Sequence, residues 1–236
     1  ILKKNLIIMI KGKETIKEWN DCYSQPNPWG LDGSLADFIR IKIINNCFKN
    51  NKFENGIDIG CGEGFLLNNL DFIKNKKGID LSSNAINRAK QKYPDIDFYI
   101  ANPFLDFNLD QKFEFVSCFE ALYYPTSLEK RKTALKNLLK FGTKDAIYAF
   151  SVVTVGPNKN GDYYTKESFL NLLSEDYKVL KIVTLRGSYK LPIHLRIFQK
   201  SISIFNKKLA ANLFFEHMIN ANKDDIYQEL FICKSL

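Results

Sequence analysis

Histidine is nearly absent from this 236-residue chain. Its two histidines, His194 and His217, belong to no His-Glu-x-x-His arrangement, and there is neither a paired aspartate motif nor a cysteine quartet. The ligand sets by which metal sites announce themselves are missing, so no metal is expected. Cysteine is present but scattered: Cys22, Cys47, Cys61, Cys118 and Cys233 form no C-x-x-C pair. That argues against a disulfide framework and fits reduced, cytoplasmic thiols. No apolar run is long enough to span a bilayer. The opening at residues 1–10 is short, lacks a small-residue cleavage site and runs straight into charge, and it reads as a ragged N-terminus with Met9 a candidate start. No repeat, low-complexity block or linker divides the chain, and 45% hydrophobic residues suffice for one core, so a single domain is expected over 1–236.

Against these absences stands one dense motif, Gly56-Ile-Asp-Ile-Gly-Cys-Gly-Glu-Gly64. An apolar strand ends in Asp58 and turns through three alternating glycines. Glycine lets such a turn run tightly into a helix and lets a ligand meet bare backbone, while the helix start offers unpaired N–H groups. This suits a nucleoside cofactor. A dinucleotide fingerprint would need glycine at position 65, which is Phe65; the third glycine comes one residue early, at Gly64. Asp80 ends the next strand pattern, at the distance of roughly 20 residues where a carboxylate meets ribose hydroxyls.

Around the motif the pattern alternates. Strands are expected from 53, at 97–100, 113–118, 146–152, 178–185 and 226–233, with another ending at Asp80, and helices at 13–19, 34–48, after the glycine turn, from Ser82 and Ser83, at 127–140 and at 165–173. A loop is expected at 156–161. Seven strands, five of them linked by helices, predict an α/β doubly wound sheet, mostly parallel. Two helices and an extended Pro-rich loop, Tyr23-Ser-Gln-Pro-Asn-Pro-Trp-Gly30, precede it in residues 1–50; the core spans 51–155. About 40 residues separate the last two strands where a hairpin would use far fewer, so 186–225 is an insertion.

With Asp58-Ile-Gly-Cys-Gly-Glu-Gly64 as a first motif and Gly78-Ile-Asp-Leu-Ser-Ser83 as a second, about two thirds of the chain resembles the class I S-adenosylmethionine-dependent methyltransferases, whose sheet is Rossmann-like and whose last strand runs antiparallel. The segment Phe119-Glu-Ala-Leu-Tyr-Tyr-Pro125, with Asn27-Pro-Trp-Gly30, is similar to nodulation protein S-type enzymes. The resemblance implies that Gly60, Cys61, Gly62 and Gly64 hold the methionine end of S-adenosylmethionine, that Asp58 orients its ammonium, and that Asp80 takes the ribose. Asn102 stands where an aspartate usually meets adenine, with Pro103 beside it; Phe104 or Leu81 is placed to pack on the ring, and Phe119 ends the fourth strand. Tyr23 and Trp29 lie in the loop that closes as a lid. Glu120 follows that strand as a candidate base or amine partner, or else a carboxylate that orients its loop; Tyr123 and Tyr124 are placed to line the pocket or to pack, and His194 is a lesser candidate base. The cofactor implied is S-adenosylmethionine, leaving S-adenosylhomocysteine as product. The acceptor implied is an amine or hydroxyl of a small sugar-derived metabolite, with a place in surface-polysaccharide synthesis; a scaffold that binds the cofactor without catalysis is the remaining reading.

Charge adds one expectation. All of the net charge of +8 can be assigned to residues 177–215, which hold eight basic residues and no acid; the other 26 of 34 basic residues match the 26 acidic ones. Leu191, Leu195, Phe198, Ile202, Phe205, Leu209 and Leu213 recur there at helical spacing, Pro192 suits a first turn, and Arg196, Lys200 and Lys207 would share one face. Such a helix faces an anionic small substrate, a membrane surface or nucleic acid, or else is a solvated face over a packed stripe. Nucleic acid is disfavoured because Asn102-Pro-Phe104 lacks the second proline of base-amine methylation and follows the wrong strand.

Overall fold

The computed structural model describes residues 15–28, 30, 32–102, 104–105, 107, 109–122, 125, 127–154, 164–186, 193–219 and 228–236, with the main chain alone at 186, 193–196, 214 and 216–219. In chain order the elements are α1 (Ile16–Cys22), α2 (Leu35–Cys47), β1 (Phe53–Ile59), α3 (Phe65–Asn68), β2 (Ile73–Asp80), α4 (Ser83–Lys92), β3 (Asp97–Ile100), β4 (Phe113–Phe119), α5 (Leu128–Leu138), β5 (Gly142–Val152), α6 (Lys166–Leu173), β6 (Tyr177–Arg186), α7 (Ile193–Phe205), α8 (Lys207–Ile219) and β7 (Gln228–Ser235).

Hydroxyl caps set the helix starts. Ser34, Ser82, Ser127 and Thr165 each accept a hydrogen bond from the backbone N–H three residues on, opening α2, α4, α5 and α6. Thr15 and Glu18 form a reciprocal capping box, which starts α1 later than the apolar pattern of 13–19 predicts and lets it run to Cys22. The helix after the glycine turn is a single turn. Strand β5 begins at Gly142 rather than 146, and β7 continues past Cys233 to Ser235.

The strand order is β3-β2-β1-β4-β5-β7-β6, with β7 antiparallel to both of its neighbours and every other pair parallel. This is the doubly wound seven-stranded sheet expected, with the one reversed strand where the resemblance places it. Order reverses between β1 and β4, and the crevice beyond their carboxyl ends is where such sheets bind ligands. Both faces are covered. Phe115 packs edge to face on Phe48 and Phe72, with centroids 5.2 and 5.0 Å apart, in the core on the α2 side of the sheet. On the other face Tyr148, Phe150 and Tyr177 form a second aromatic cluster with α5 and α6.

The insertion departs from the single helix predicted for it. Asn206 splits the helix although the apolar spacing continues across it: its N–H still reaches Ile202 O at 2.8 Å, while its Oδ1 accepts from Leu209 N at 2.9 Å and opens a second helix. Lys200 and Lys207 therefore lie on different helices. Of the apolar stripe, Phe198, Phe205, Leu209 and Leu213 are exposed, while Ile202 is half-buried against the core; Ala210, Ala211 and Phe215 carry the buried face of α8, which packs on α2. Leu191 and Pro192 lie outside the described residues, as do the side chains of Leu195 and Arg196 and the expected loop at 156–161.

Candidate active site

Three glycines with positive φ, Gly60 (76°), Gly62 (55°) and Gly64 (78°), turn the chain off β1. All three are also sites of close approach, a Cβ on Gly64 meeting the Phe98 ring at 2.7 Å. A Cβ on Gly60 would lie 2.4 Å from the Ala121 methyl, and one on Gly62 would lie 2.7 Å from the Tyr23 hydroxyl. Only hydrogen fits either place. Asp80 locks the turn from β2: its Oδ2 accepts from Gly62 N and its Oδ1 from Ser82 N, both at 2.9 Å. Burial raises the Asp80 carboxyl above the usual range, opposed by these backbone bonds. Cys61 turns its thiol into the core, where burial pushes it well up, so any ligand contact there falls to its main chain.

Asp58 ends β1 almost fully buried and accepts from Ser117 Oγ, on the adjacent β4, at 2.7 Å. Burial pushes its carboxyl up to about 7; the Ser117 bond and the Arg40 charge pull the other way, and Asp80 adds to the rise. Arg40, on α2, gives Nη2 to Asp37 Oδ1 at 2.8 Å, while its buried Nε has no hydrogen-bond partner among the described residues. One end of the crevice thus holds a carboxyl that has no ion-pair partner among the described residues and a guanidinium that is paired to Asp37 through Nη2 but keeps its Nε unpartnered.

The predicted lid residue Tyr23 is buried, its hydroxyl against Gly62. Its α1 is held by Asn20, whose Oδ1 accepts from Ser82 Oγ at 2.9 Å and whose carbonyl accepts from Asn84 Nδ2 at 3.0 Å. Glu63, inside the glycine motif, is the fastening point. It accepts from Asn27 N in the Pro-rich loop and from Arg88 Nε on α4, both at 2.8 Å, and pairs with Lys92. Burial works to raise this carboxyl, but the bonds from Lys92, Asn27 N–H and Arg88 outweigh it and hold it below the usual range. In the same loop Asn27 exchanges two bonds with Asp32, whose carboxyl burial, Asp37 and Glu63 push up to about 6.

Glu120 leaves β4 with φ 59°, a conformation that costs a non-glycine residue about 1–3 kcal/mol. Its Oε1 accepts from Ser151 Oγ on β5 and from Gln228 Nε2 on β7, each at 2.7 Å. Gln228 is buried, and its own Oε1 has no partner among the described residues. At the β3 end, Asn102 Oδ1 accepts from Phe104 N at 3.1 Å and Asn137 supports Phe104 O at 2.9 Å. Leu81 packs against Trp19, Cys22, Tyr23 and Ala85; Phe104 is half-buried, and Phe119 lies in the core. Trp29, Pro103, Tyr123 and Tyr124 lie outside the described residues, as does the side chain of His194, whose main chain belongs to α7. Among the described residues no group of three His, Cys, Asp or Glu could hold a metal ion, and no helix is long and apolar enough to cross a membrane.

Arg40, Ser117, Ser151 and Gln228 were not foreseen from the sequence. Glu63 sits within the motif and could have been flagged as an acid in an otherwise apolar turn; Ser117, Ser151 and Gln228 are brought into place only by strand register, and Arg40 by the packing of α2. These groups fit S-adenosylmethionine: a glycine cradle that a Cβ would fill, Asp80 for a diol, the Asp58 carboxyl for an ammonium and the unpartnered Arg40 Nε for a carboxylate.

Sheet order, a glycine turn at the switch point and acids ending β1 and β2 define a class I S-adenosylmethionine-dependent methyltransferase. A family model described as nodulation protein S (NodS) matches residues 20–189, and the chain belongs to that family. It is similar to the putative methyltransferase 235L of Invertebrate iridescent virus 6, 33% identical over 139 residues, which are 57% of this chain and 49% of the viral protein. It thus spans about half of that relative's length. Nodulation protein S of Azorhizobium caulinodans is 21% identical over 165 residues, 68% of this chain and 80% of that one. Among solved structures, the N-methyltransferase NodS from Bradyrhizobium japonicum WM9 in complex with S-adenosyl-L-homocysteine superposes with a TM-score of 0.67 at 17% identity, over 94% of this chain and 99% of the other. At that identity the likeness speaks for the fold.

Proposed function

We propose that this protein methylates an amine of a small sugar-derived acceptor, with Glu120 as the group that receives the acceptor. The carrying observation is the strained Glu120 backbone whose carboxylate is held by Ser151 and Gln228. Strain of that kind persists where the surroundings over-determine it, and it gathers at working sites. When bound, S-adenosylmethionine supplies an electrophilic methyl on a sulfonium. The chain's part is positioning, which accounts for most of what such a site contributes. Asp58 and Arg40 suit the ammonium and carboxylate of the cofactor, Asp80 its ribose, and Tyr23 with the Glu63-fastened loop covers the glycine turn and keeps water out. Glu120 is placed to accept a hydrogen bond from an amine and to take the proton that must leave before or with methyl transfer. The buried Oε1 of Gln228 offers a second acceptor for an amine that carries two hydrogens.

The printed name N-methyltransferase on the Bradyrhizobium relative supports nitrogen over oxygen as acceptor atom. The basic stretch at 177–215 supports an acceptor with an anionic group such as phosphate. The test is a screen of aminosugars, sugar phosphates and nucleotide sugars for cofactor-dependent mass gain of one methyl. Glu120→Gln should lower kcat roughly 100-fold with S-adenosylhomocysteine affinity kept, and Gly62→Arg should abolish that affinity. Methylation only of N-acetylated or amine-free sugars, or full turnover by Glu120→Gln, would refute the reading. No S-adenosylhomocysteine binding by the unmodified protein would leave a scaffold without catalysis.

A further inference from the structure

Helix α7 turns an apolar face outward. Ile197, Phe198, Ile204 and Phe205 are 63%, 56%, 79% and 90% exposed, while Gln199 is buried and Ser203 Oγ is buried without a partner among the described residues. At 100° per residue, 197, 201, 204 and 205 share one exposed face, while 199, 202 and 203 lie across from it, with Ile202 packed on the core, so the outward face is a coherent apolar surface rather than scatter. Leu209 and Leu213 on α8 add to the exposed apolar surface. Lys200, Lys207 and Lys208 are exposed on the same two helices, within a stretch that contains no acid.

We propose that α7 and α8 dock the protein on an anionic lipid surface, Phe198, Ile204 and Phe205 entering the acyl boundary and Lys200, Lys207 and Lys208 meeting the headgroups. Apolar side chains flanked by lysines on a helix lying in the interface plane are the chemistry of such binding, and anionic lipid attracts basic segments close to its surface. A second copy of the chain fits less well, because self-contact through this face would bring like-charged lysines together. Duplex nucleic acid keeps its bases stacked inside and would leave Ile197, Ile204 and the 90%-exposed Phe205 uncovered. The roots of the hairpin give the docking a purpose. The end of β6 and the start of β7 are neighbours, Arg186 pairing with Gln228, and Gln228 holds Glu120. Docking would therefore set the acceptor end of the crevice beside the lipid surface. Surface binding does not rest on the reading of the acceptor, since it requires neither cofactor nor methyl transfer.

The test is flotation of the full chain with vesicles of pure phosphatidylcholine and of phosphatidylcholine with 30% phosphatidylglycerol, without cofactor. Binding to the anionic vesicles should be at least tenfold tighter than to neutral ones and should weaken steeply as salt rises. Phe205→Ser with Ile204→Ser, and separately Lys200→Glu with Lys207→Glu and Lys208→Glu, should each lower it at least tenfold with the thermal midpoint unchanged, all five side chains being exposed. Failure of the unmodified protein to float, or binding indifferent to both sets of substitutions, would overturn the proposal. So would a solution dimer that Phe205→Ser converts to monomer, which would make a second copy the occupant. Binding to duplex DNA lost with the lysines but not with Phe205, in the absence of flotation, would also overturn it.

Discussion

A carboxyl that sits near 7 at the end of β1 couples cofactor capture to the release of a proton. Asp58 has a folded pKa raised from 3.8 to about 7 by burial. In the protein alone its contribution to stability is therefore present below about pH 4 and is lost as pH rises toward 7. A bound ammonium reverses the preference and favours the carboxylate. Affinity for S-adenosylhomocysteine should climb between pH 6 and 8 and then level, with proton release on binding that shrinks across the same range. Calorimetry in buffers of different ionisation enthalpy measures both; Asp58→Asn should bind weakly and flatten the profile. Gln228 allows a second test at this scale. Removing its donated bond to a carboxylate costs about 1.5–3 kcal/mol where that bond is needed. Gln228→Met should lower kcat roughly tenfold to 100-fold and leave nucleoside affinity unchanged. Asp58, Asp80 and the glycines are legible in the sequence because a local turn carries them. Gln228 is not, since only the antiparallel register of β7 beside β5 brings it to a strand end 108 residues away.

Among the elements, the N-terminal lid depends on one side chain. Glu63 joins the Pro-rich loop, α4 and the glycine turn, and its removal would strand Arg88 and Lys92 around a buried site. Glu63→Ala should cost about 3 kcal/mol and open residues 23–33 to limited proteolysis; an unchanged melting midpoint and cleavage rate would show the lid to be held elsewhere. Because this carboxyl is held below its usual range, its contribution is present above that range and is lost as pH falls through the depressed value. Helix starts were readable from Ser34, Ser82 and Thr165, where a hydroxyl precedes an apolar rhythm. The insertion was not, for a physical reason. Four-and-three spacing reports that a helix has an apolar face, and it cannot report whether that face looks inward. Asn206 also keeps the rhythm while its side chain ends one helix and begins the next.

For the molecule as a whole, alternation of strand and helix predicted both the sheet and its covered faces, since parallel strands buried on two sides read as apolar runs joined by capped helices. The lone reversed strand follows from the resemblance to the family, not from any local pattern. It has a further use. Arg186 and Gln228 stand opposite each other as cross-strand neighbours, at a separation of about 5 Å in such pairs, so everything between them leaves and re-enters the sheet through one doorway. Such a segment is a cassette: evolution can exchange it for a longer, shorter or differently charged one without rewinding a single strand, and a chimera carrying a relative's version should keep its nucleoside grip while changing the company it keeps.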